Sequence, residues 1–256
     1  MDYSGQFDIL PVDTAKKTPV RIIGAGNSGS WEALFLAKSG FFSDPANPLH
    51  ICDHDIIEER NFNNQFYPLE AVGQLKVEAL AKELQRFAEA HIVTHPYKFD
   101  PAKFPTDGIV INATDSMEAR LQIFEACIKN PNCRLFIDTR TGGSLMEMYV
   151  INPQKRDHQE FYMGTWKSDA EIGRVPCTNV GVAWTSASVG YWVCATIFQH
   201  MVGITPPIKH LHDNRNLRDI RHYADAGERP AQVSGTAALP TSVHDAAKPE
   251  KTDEEI

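Results

Sequence analysis

A chain of 256 residues can bury one substantial core, so one main domain with elaborations is the default. Its 42% hydrophobic and 23% charged residues are ordinary for a soluble globular protein, and no apolar run is long enough to cross a bilayer, so no membrane role is expected. The formal net charge of -8 argues against a nucleic-acid binder, because neutralising phosphates needs a basic surface.

Residues 1–17 are a polar lead-in with no apolar stretch ahead of a cleavage site, which does not read as a secretory signal. Residues 18–23 form a short strand candidate that ends in Gly24-x-Gly26-x-x-Gly29. Helical spacing follows in Trp31, Leu34, Phe35 and Leu36. A second strand covers 48–53, and 75–90 reads as an amphipathic helix with Val77, Leu80, Ala81, Leu84 and Phe87 on one face. An edge strand is expected in 92–99, a strand in 108–112, a helix in 118–128 and two more strands in 134–138 and 145–151. Strand alternating with helix, over continuous apolar strands, predicts an α/β fold with a Rossmann-like, mostly parallel sheet and helices on both faces.

Residues 152–176 lack periodicity and read as a long loop or crossover segment. A small-residue helix is expected over 182–202. His210, His212 and His222 fall in a polar region, where surface histidines are favoured over a metal site because no further ligands accompany the pair. The main domain is therefore set at 18–223. Residues 224–256 are rich in Ala, Pro, Ser and Thr and read as a disordered tail. Cys52, Cys127, Cys133, Cys177 and Cys194 are odd in number and widely spaced, which fits a reducing, cytoplasmic chain.

The glycine pattern has a mechanical reason. The first glycine permits the tight turn, the second lets backbone approach a phosphate, and the third lets helix and strand pack closely. Exposed N–H groups and the positive end of the helix dipole then attract an anion. Asp53, at the end of the second strand, is in register to accept hydrogen bonds from ribose hydroxyls, which would also suit an NAD-dependent oxidoreductase. The polar run that follows does not suit one. It carries Asp55, Glu58, Arg60, Asn61, Asn64 and Gln65, then Gly73 and Lys76, where a cation opening a helix can reach phosphate oxygens. A solvated loop is the bland alternative.

These blocks resemble the ThiF/MoeB/HesA adenylyltransferases, a family that includes the ubiquitin-activating enzymes. The run from Asp53 to Gln65 is similar to its D-x-D-x-(V/I)-x-x-x-N-(L)-x-R-Q segment. Gly73 to Lys76 matches its G-x-x-K, and Asn112 to Arg120 its T-D-(N/S)-x-x-x-R. The resemblance implies that Gly24, Gly26 and Gly29 form the phosphate loop and that Asp53 holds ribose. Asp55, Asn61 and Gln65 would line the nucleotide site, Lys76 would grip phosphate, and Asp115 would ligate Mg²⁺ with ATP as cosubstrate. Arg120 joins the catalytic set, with pairing to a carboxylate as its alternative role; for Asp115 the alternative is the N-cap of the helix beginning near Ser116. Cys177 resembles the family's crossover-loop cysteine, a nucleophile for an acyl-adenylate, with an incidental cysteine as the alternative. Arg174 and the following helix are candidates to activate that thiol.

Three departures stand out. The family's arginine before the glutamine is Asn64 here, its R-Y-x-R-Q segment is not found, and the paired C-x-x-C zinc motifs are missing. Arg60 and Arg140 are the candidates to replace the lost cation. The implied reaction is adenylation of a carboxylate at the C-terminus of a ubiquitin-like or sulfur-carrier protein by a homodimer. Open alternatives are a non-catalytic family member that binds such a protein or forms a heterodimer, and an NAD-dependent oxidoreductase. A small molecule or a tRNA base is a further substrate class that relatives activate.

Overall fold

The computed structural model describes residues 17–172 and 182–224. Cys177 and Arg174, most of the lead-in and nearly all of the C-terminal tail lie outside the described residues.

Eight strands form one sheet in the order β3-β2-β1-β4-β5-β6-β7-β8. The strands β1 (Val20–Ile23), β2 (Leu49–Cys52), β3 (Ile92–His95), β4 (Gly108–Asn112) and the first half of β5 (Cys133–Gly142) run parallel. From β5 onward, β6 (Leu145–Ile151), β7 (Lys209–Asp213) and β8 (Arg218–His222) add on antiparallel. A strand's side chains alternate between faces, and the central strands are apolar on both. Val20 and Ile22, Ile109 and Ile111, and Leu135 and Ile137 enter one core; Ile23, Val110 and Phe136 enter the other.

The helices α1 (Asn27–Lys38), α2 (Lys76–Phe87) and α6 (Ala183–Met201) supply Leu36, Leu80, Leu84, Val189 and Val193 to the first core. The second face is covered by α3 (Met117–Lys129), with Ile123 and Phe124, and α4 (Arg156–Met163), with Tyr162. The expected doubly covered sheet is therefore present. Phe87 departs from the expected apolar face of α2. It stands 42% exposed at the last turn, edge-on to Phe66 at 5.8 Å.

Two stretches differ from the sequence reading. Residues 152–176 are not structureless, because α4 and the short α5 (Asp169–Ile172) lie within them. Only His158 and Tyr162 of α4 are buried, so the helix carries too little apolar repeat to be read from its sequence. The polar region after residue 208 is the β7–β8 hairpin, and His210 is buried in it rather than on the surface. Among the described residues no helix is long and apolar enough to cross a membrane, and their four cysteines are free thiols.

From β1 the chain steps outward to β2 and β3, then returns to place β4 on the other side of β1. The strand order reverses there, and the carboxyl ends of β1 and β4 open a crevice of the kind where such sheets bind ligands. Elsewhere, α1 and α6 approach each other closely. A Cβ built on Gly190 of α6 would lie 2.7 Å from the backbone oxygen of Trp31 and from Cδ2 of Phe35. We expect Gly190→Val to crowd this crossing and cost about 1–3 kcal/mol, seen as a Tm several degrees lower in thermal denaturation.

Candidate active site

The loop between β1 and α1 is built by its glycines. Gly24 adopts φ +98°, and a Cβ there would meet the backbone oxygen of Ala113 at 2.7 Å. A Cβ on Gly29 would sit 1.9 Å from the Gly24 oxygen, so α1 and the loop could not approach with any other residue. Gly26 is different: a Cβ there meets nothing within 4 Å. It is also the N-cap of α1 and makes no side-chain capping bond, so the first-turn N–H groups of α1 gain no side-chain acceptor from it. The first and third glycines serve packing, while the second faces open space.

A continuous set of contacts links this loop to α2. The Ala25 N–H donates to Asp53 Oδ2 at 2.6 Å, and the Asp55 N–H donates to Asp53 Oδ1 at 2.8 Å. Lys76 Nζ meets Asp55 Oδ2 at 2.9 Å, and its backbone N–H donates to the Asp55 carbonyl at 2.9 Å. Lys76 is buried while Asp55 is exposed. Tyr67 donates its hydroxyl to the Ala25 carbonyl from beneath. Burial, then the charges of Asp53 and Asp55, push its phenol well above the ordinary value, so it remains a donor.

Asp55, Ile56, Glu58, Arg60, Asn61 and Lys76 line a hollow of about 140 Å³. Asn61 accepts the Glu58 N–H at 2.8 Å with its side-chain oxygen and so closes the short 3₁₀ turn Glu59–Asn63. Arg60 pairs with Glu58 and is mostly exposed. Asn64 is buried, and its carbonyl accepts the Trp31 indole N–H at 2.8 Å. Gln65 is buried with its side-chain oxygen lacking a hydrogen-bond partner among the described residues.

The second wall rises from the end of β4. Asp115 is exposed, three residues beyond the strand. It is not the cap of α3. Ser116 takes that position, accepting from the Ala119 N–H, and Asp169 of α5 accepts the Met117 N–H at 2.8 Å. Arg120 is buried and spends its guanidinium on the Asp138 carboxylate and the carbonyls of Thr139 and Thr114. Asp138, fully buried on β5, also accepts from Asn112 Nδ2 at 2.9 Å, Arg140 Nε at 2.8 Å and the Tyr162 hydroxyl at 3.0 Å. Arg140 lies 4.5 Å over the Tyr149 ring and is tied down. Of the two arginines considered as replacement cations, Arg60 is the one on the hollow.

Behind both walls stands Glu32 of α1, wholly buried, with Oε1 accepting from the Thr139 hydroxyl at 2.7 Å. Burial raises its pKa to about 7 against the weaker opposing pull of the Thr139 bond and Arg120. Three of the described thiols are quiet. Burial pushes Cys52 and Cys194 up to about 12 and Cys127 well above the ordinary value, which leaves little thiolate at neutral pH.

Comparison with known proteins bears on this arrangement. The ThiF family model matches residues 7–234. The chain belongs to the ThiF family. Among curated relatives it is 32% identical over 119 residues to the adenylyltransferase and sulfurtransferase MOCS3 of Aedes aegypti, covering 44% of this chain and 26% of that protein. It is 29% identical over 129 residues to the ubiquitin-like modifier-activating enzyme 5 of the same organism, covering 44% and 31%. These matches span only about a quarter to a third of the relatives. The crystal structure of E. coli MccB with ATP superposes with a TM-score of 0.65 at 18% identity, covering 87% of this chain and 71% of that one. Selenomethionine PaaA gives 0.64 at 19% identity, covering 87% and 69%. At such identity the structures share the ThiF fold.

Within this fold the glycine loop, Asp53, Asp55, Asn61 and Lys76 come together around one crevice. Sequence reasoning missed Glu32, Tyr67, Asp169 and the convergence on Asp138. Nothing in the sequence indicated the four partners of Asp138. The buried Glu32 has a pH consequence. Its folded pKa is raised, so the folded state binds the proton more tightly and this group's contribution to stability declines as pH rises from about 4.5 through about 7. The full shift corresponds to on the order of 3 kcal/mol. Thermal unfolding of wild type should therefore lose stability relative to Glu32→Gln between pH 5 and pH 8, and parallel profiles would show that Glu32 titrates normally.

Proposed function

We propose that this protein binds ATP with Mg²⁺ and adenylates a carboxylate, the C-terminus of a ubiquitin-like or sulfur-carrier protein. The observation that carries the reading is the unbroken set of contacts from the open glycine loop through Asp53 and Asp55 to the buried Lys76. Loop amides and the N-terminus of α1 would hold phosphate oxygens. Asp53 would receive ribose hydroxyls on whichever lone pairs the Ala25 and Asp55 amides leave free. Lys76 would exchange Asp55 for a phosphate oxygen, a swap favoured by the greater charge of a triphosphate. Arg60 would stand in for the arginine replaced by Asn64, reaching the hollow from its exposed position on the rim.

Asp53, His54 and Asp55 bring donor atoms within 4.8 Å of one another. We assign the metal to Asp115, an exposed carboxylate beyond a strand end and suited to a cation that keeps most of its waters. That metal, when bound, supplies neutralisation of the triphosphate charge. Arg120 acts as a positioning residue, since its hold on the Thr114 carbonyl fixes the backbone beside Asp115. The acyl carboxylate attacks the α-phosphorus, forming an acyl-adenylate and releasing pyrophosphate. The protein's part is orientation and preorganised charge.

Cys177 takes the acyl group in a second step, its thiolate attacking the mixed anhydride as AMP leaves. A second copy of the chain completes the assembly, with Trp184 and Tyr191, exposed seven residues apart on α6, available for contact. A second reading, a ThiF-family protein that binds nucleotide or carrier without turnover, is favoured by Asn64 alone, since a buried amide puts no cation where the arginine would stand.

Calorimetry of the purified chain with ATP and Mg²⁺ tests the core claim. We expect saturable, magnesium-dependent affinity, weakened roughly tenfold or more in Lys76→Ala as a charge-assisted bond of about 1.5–3 kcal/mol is removed. Asp115→Ala should abolish ATP–pyrophosphate exchange with carrier proteins while its Tm stays at the wild-type value. Unchanged turnover in that variant removes Asp115 from the site, and magnesium-dependent binding without exchange supports the second reading. Cys177→Ser should retain exchange and lose any thioester seen on non-reducing gels.

A further inference from the structure

The β7–β8 hairpin carries a cluster that adenylation does not use. Alternate residues of a strand point to one face, and His210 and His212 both turn toward α6, where Trp192 packs against them at 4.4 Å and 5.9 Å between ring centroids. The hairpin register pairs His212 with Asp219. Asp219 Oδ1 lies 2.9 Å from His210 Nε2 and 2.6 Å from His212 Nδ1. Thus the ligand missing from the sequence around the two histidines arrives across the hairpin, seven residues later. The three donor atoms fall within 4.8 Å of one another.

We propose that His210, His212 and Asp219 form a binding site for a divalent transition-metal cation of the zinc class. Two imidazole nitrogens and one carboxylate oxygen are a donor set that zinc accepts, whereas magnesium and calcium prefer all-oxygen shells. With metal–ligand bonds of about 2.0–2.1 Å, tetrahedral donors stand roughly 3.3 Å apart, so each ring nitrogen needs to move from Asp219 Oδ1 by less than about 1 Å. In the metal-free protein the two ring N–H groups donate to Asp219. Metal binding needs those lone pairs, so each proton moves to the other nitrogen of its ring and the cation takes the place of both hydrogen bonds. Burial holds His210 below its ordinary pKa.

Arg221 has two opposed effects. Its charge works against a cation, but Nη2 bonds only the other carboxylate oxygen, Oδ2, at 3.3 Å, and its guanidinium rests 5.0 Å over the Trp192 ring. It therefore orients Asp219 without occupying the liganding atom. Three protein donors leave a fourth position, on the solvent side beside the 36% exposed Asp219 side chain, for water or another donor. A bound cation would pin β8 to β7 at the edge of the sheet.

Untagged full-length protein, stripped with EDTA and titrated with Zn²⁺ by calorimetry and with Co²⁺ by visible absorption, decides the matter. We expect one zinc per chain, intense cobalt bands of a four-coordinate site, and a higher Tm with zinc. His212→Ala and Asp219→Asn should each weaken zinc binding roughly tenfold or more, with melting curves confirming that both fold. His222→Ala, on an exposed residue of β8, should bind like wild type. Absence of saturable zinc binding in wild type, or wild-type affinity in both ligand variants, overturns the proposal.

Discussion

The buried carboxylate of Asp138 holds the second wall of the site to the sheet. It has no solvent contact and accepts from groups on four elements: Asn112 of β4, Arg120 of α3, Arg140 of β5 and Tyr162 of α4. An unpaired charge in that position would cost several kcal/mol, so each of these partners is constrained once the sheet forms. Arg120 then reaches the Thr114 carbonyl, and the backbone carrying Asp115 is set by a contact buried below it. Tyr162 stays protonated for the same reason: burial first, then the Asp138 charge, raise its pKa far above the ordinary phenol value. The exposed Asp115 is thus mounted on one of the least solvated ion networks in the molecule.

The first wall is organised by the opposite logic. Asp53 and Asp55 stand near solvent and hold the amide of Ala25 and the ammonium of Lys76. Two carboxylates beside the glycine loop would repel an anion if left unpaired. Here Asp55 is matched by a lysine that is buried on its stem and so has few alternative positions. On the proposed reading, a triphosphate entering this hollow would meet Lys76 already placed and would displace Asp55 to gain it. Asp55 thereby holds the lysine ammonium in place at the hollow.

What was legible in the sequence follows from where each signal resides. The parallel strands announce themselves because burial on both faces demands uninterrupted apolar runs such as Ile109 to Ile111. The glycine loop is equally legible as a motif, although only Gly29 answers to a nearby residue, Gly24, while the limit on Gly24 is set by Ala113 beyond β4. Asp138 is not, because its role depends on side chains from β4, α3 and α4 that only the fold assembles. The helix α4 hides for a related reason: two buried rings four residues apart, His158 and Tyr162, are all that anchors it. Asn61 shows a subtler limit. The motif places it at the site, but its side-chain oxygen is already committed to the Glu58 amide, so it shapes the turn that carries Arg60.

The antiparallel half of the sheet shows why the hairpin escaped a sequence reading altogether. A parallel strand is recognised by what it buries, whereas β7 reads Lys-His-Leu-His-Asp and buries His210 alone. A buried imidazole needs a hydrogen-bonding partner, and the strand itself provides none on that face. Asp219 meets that need for His210 and for His212 at once, with Trp192 closing the apolar side. Such a cluster is stable only if the register of β7 on β8 is held, because a one-residue slip would turn both histidines to the other face. The polar contacts that make the hairpin unreadable in sequence are therefore the ones that fix its register in the fold.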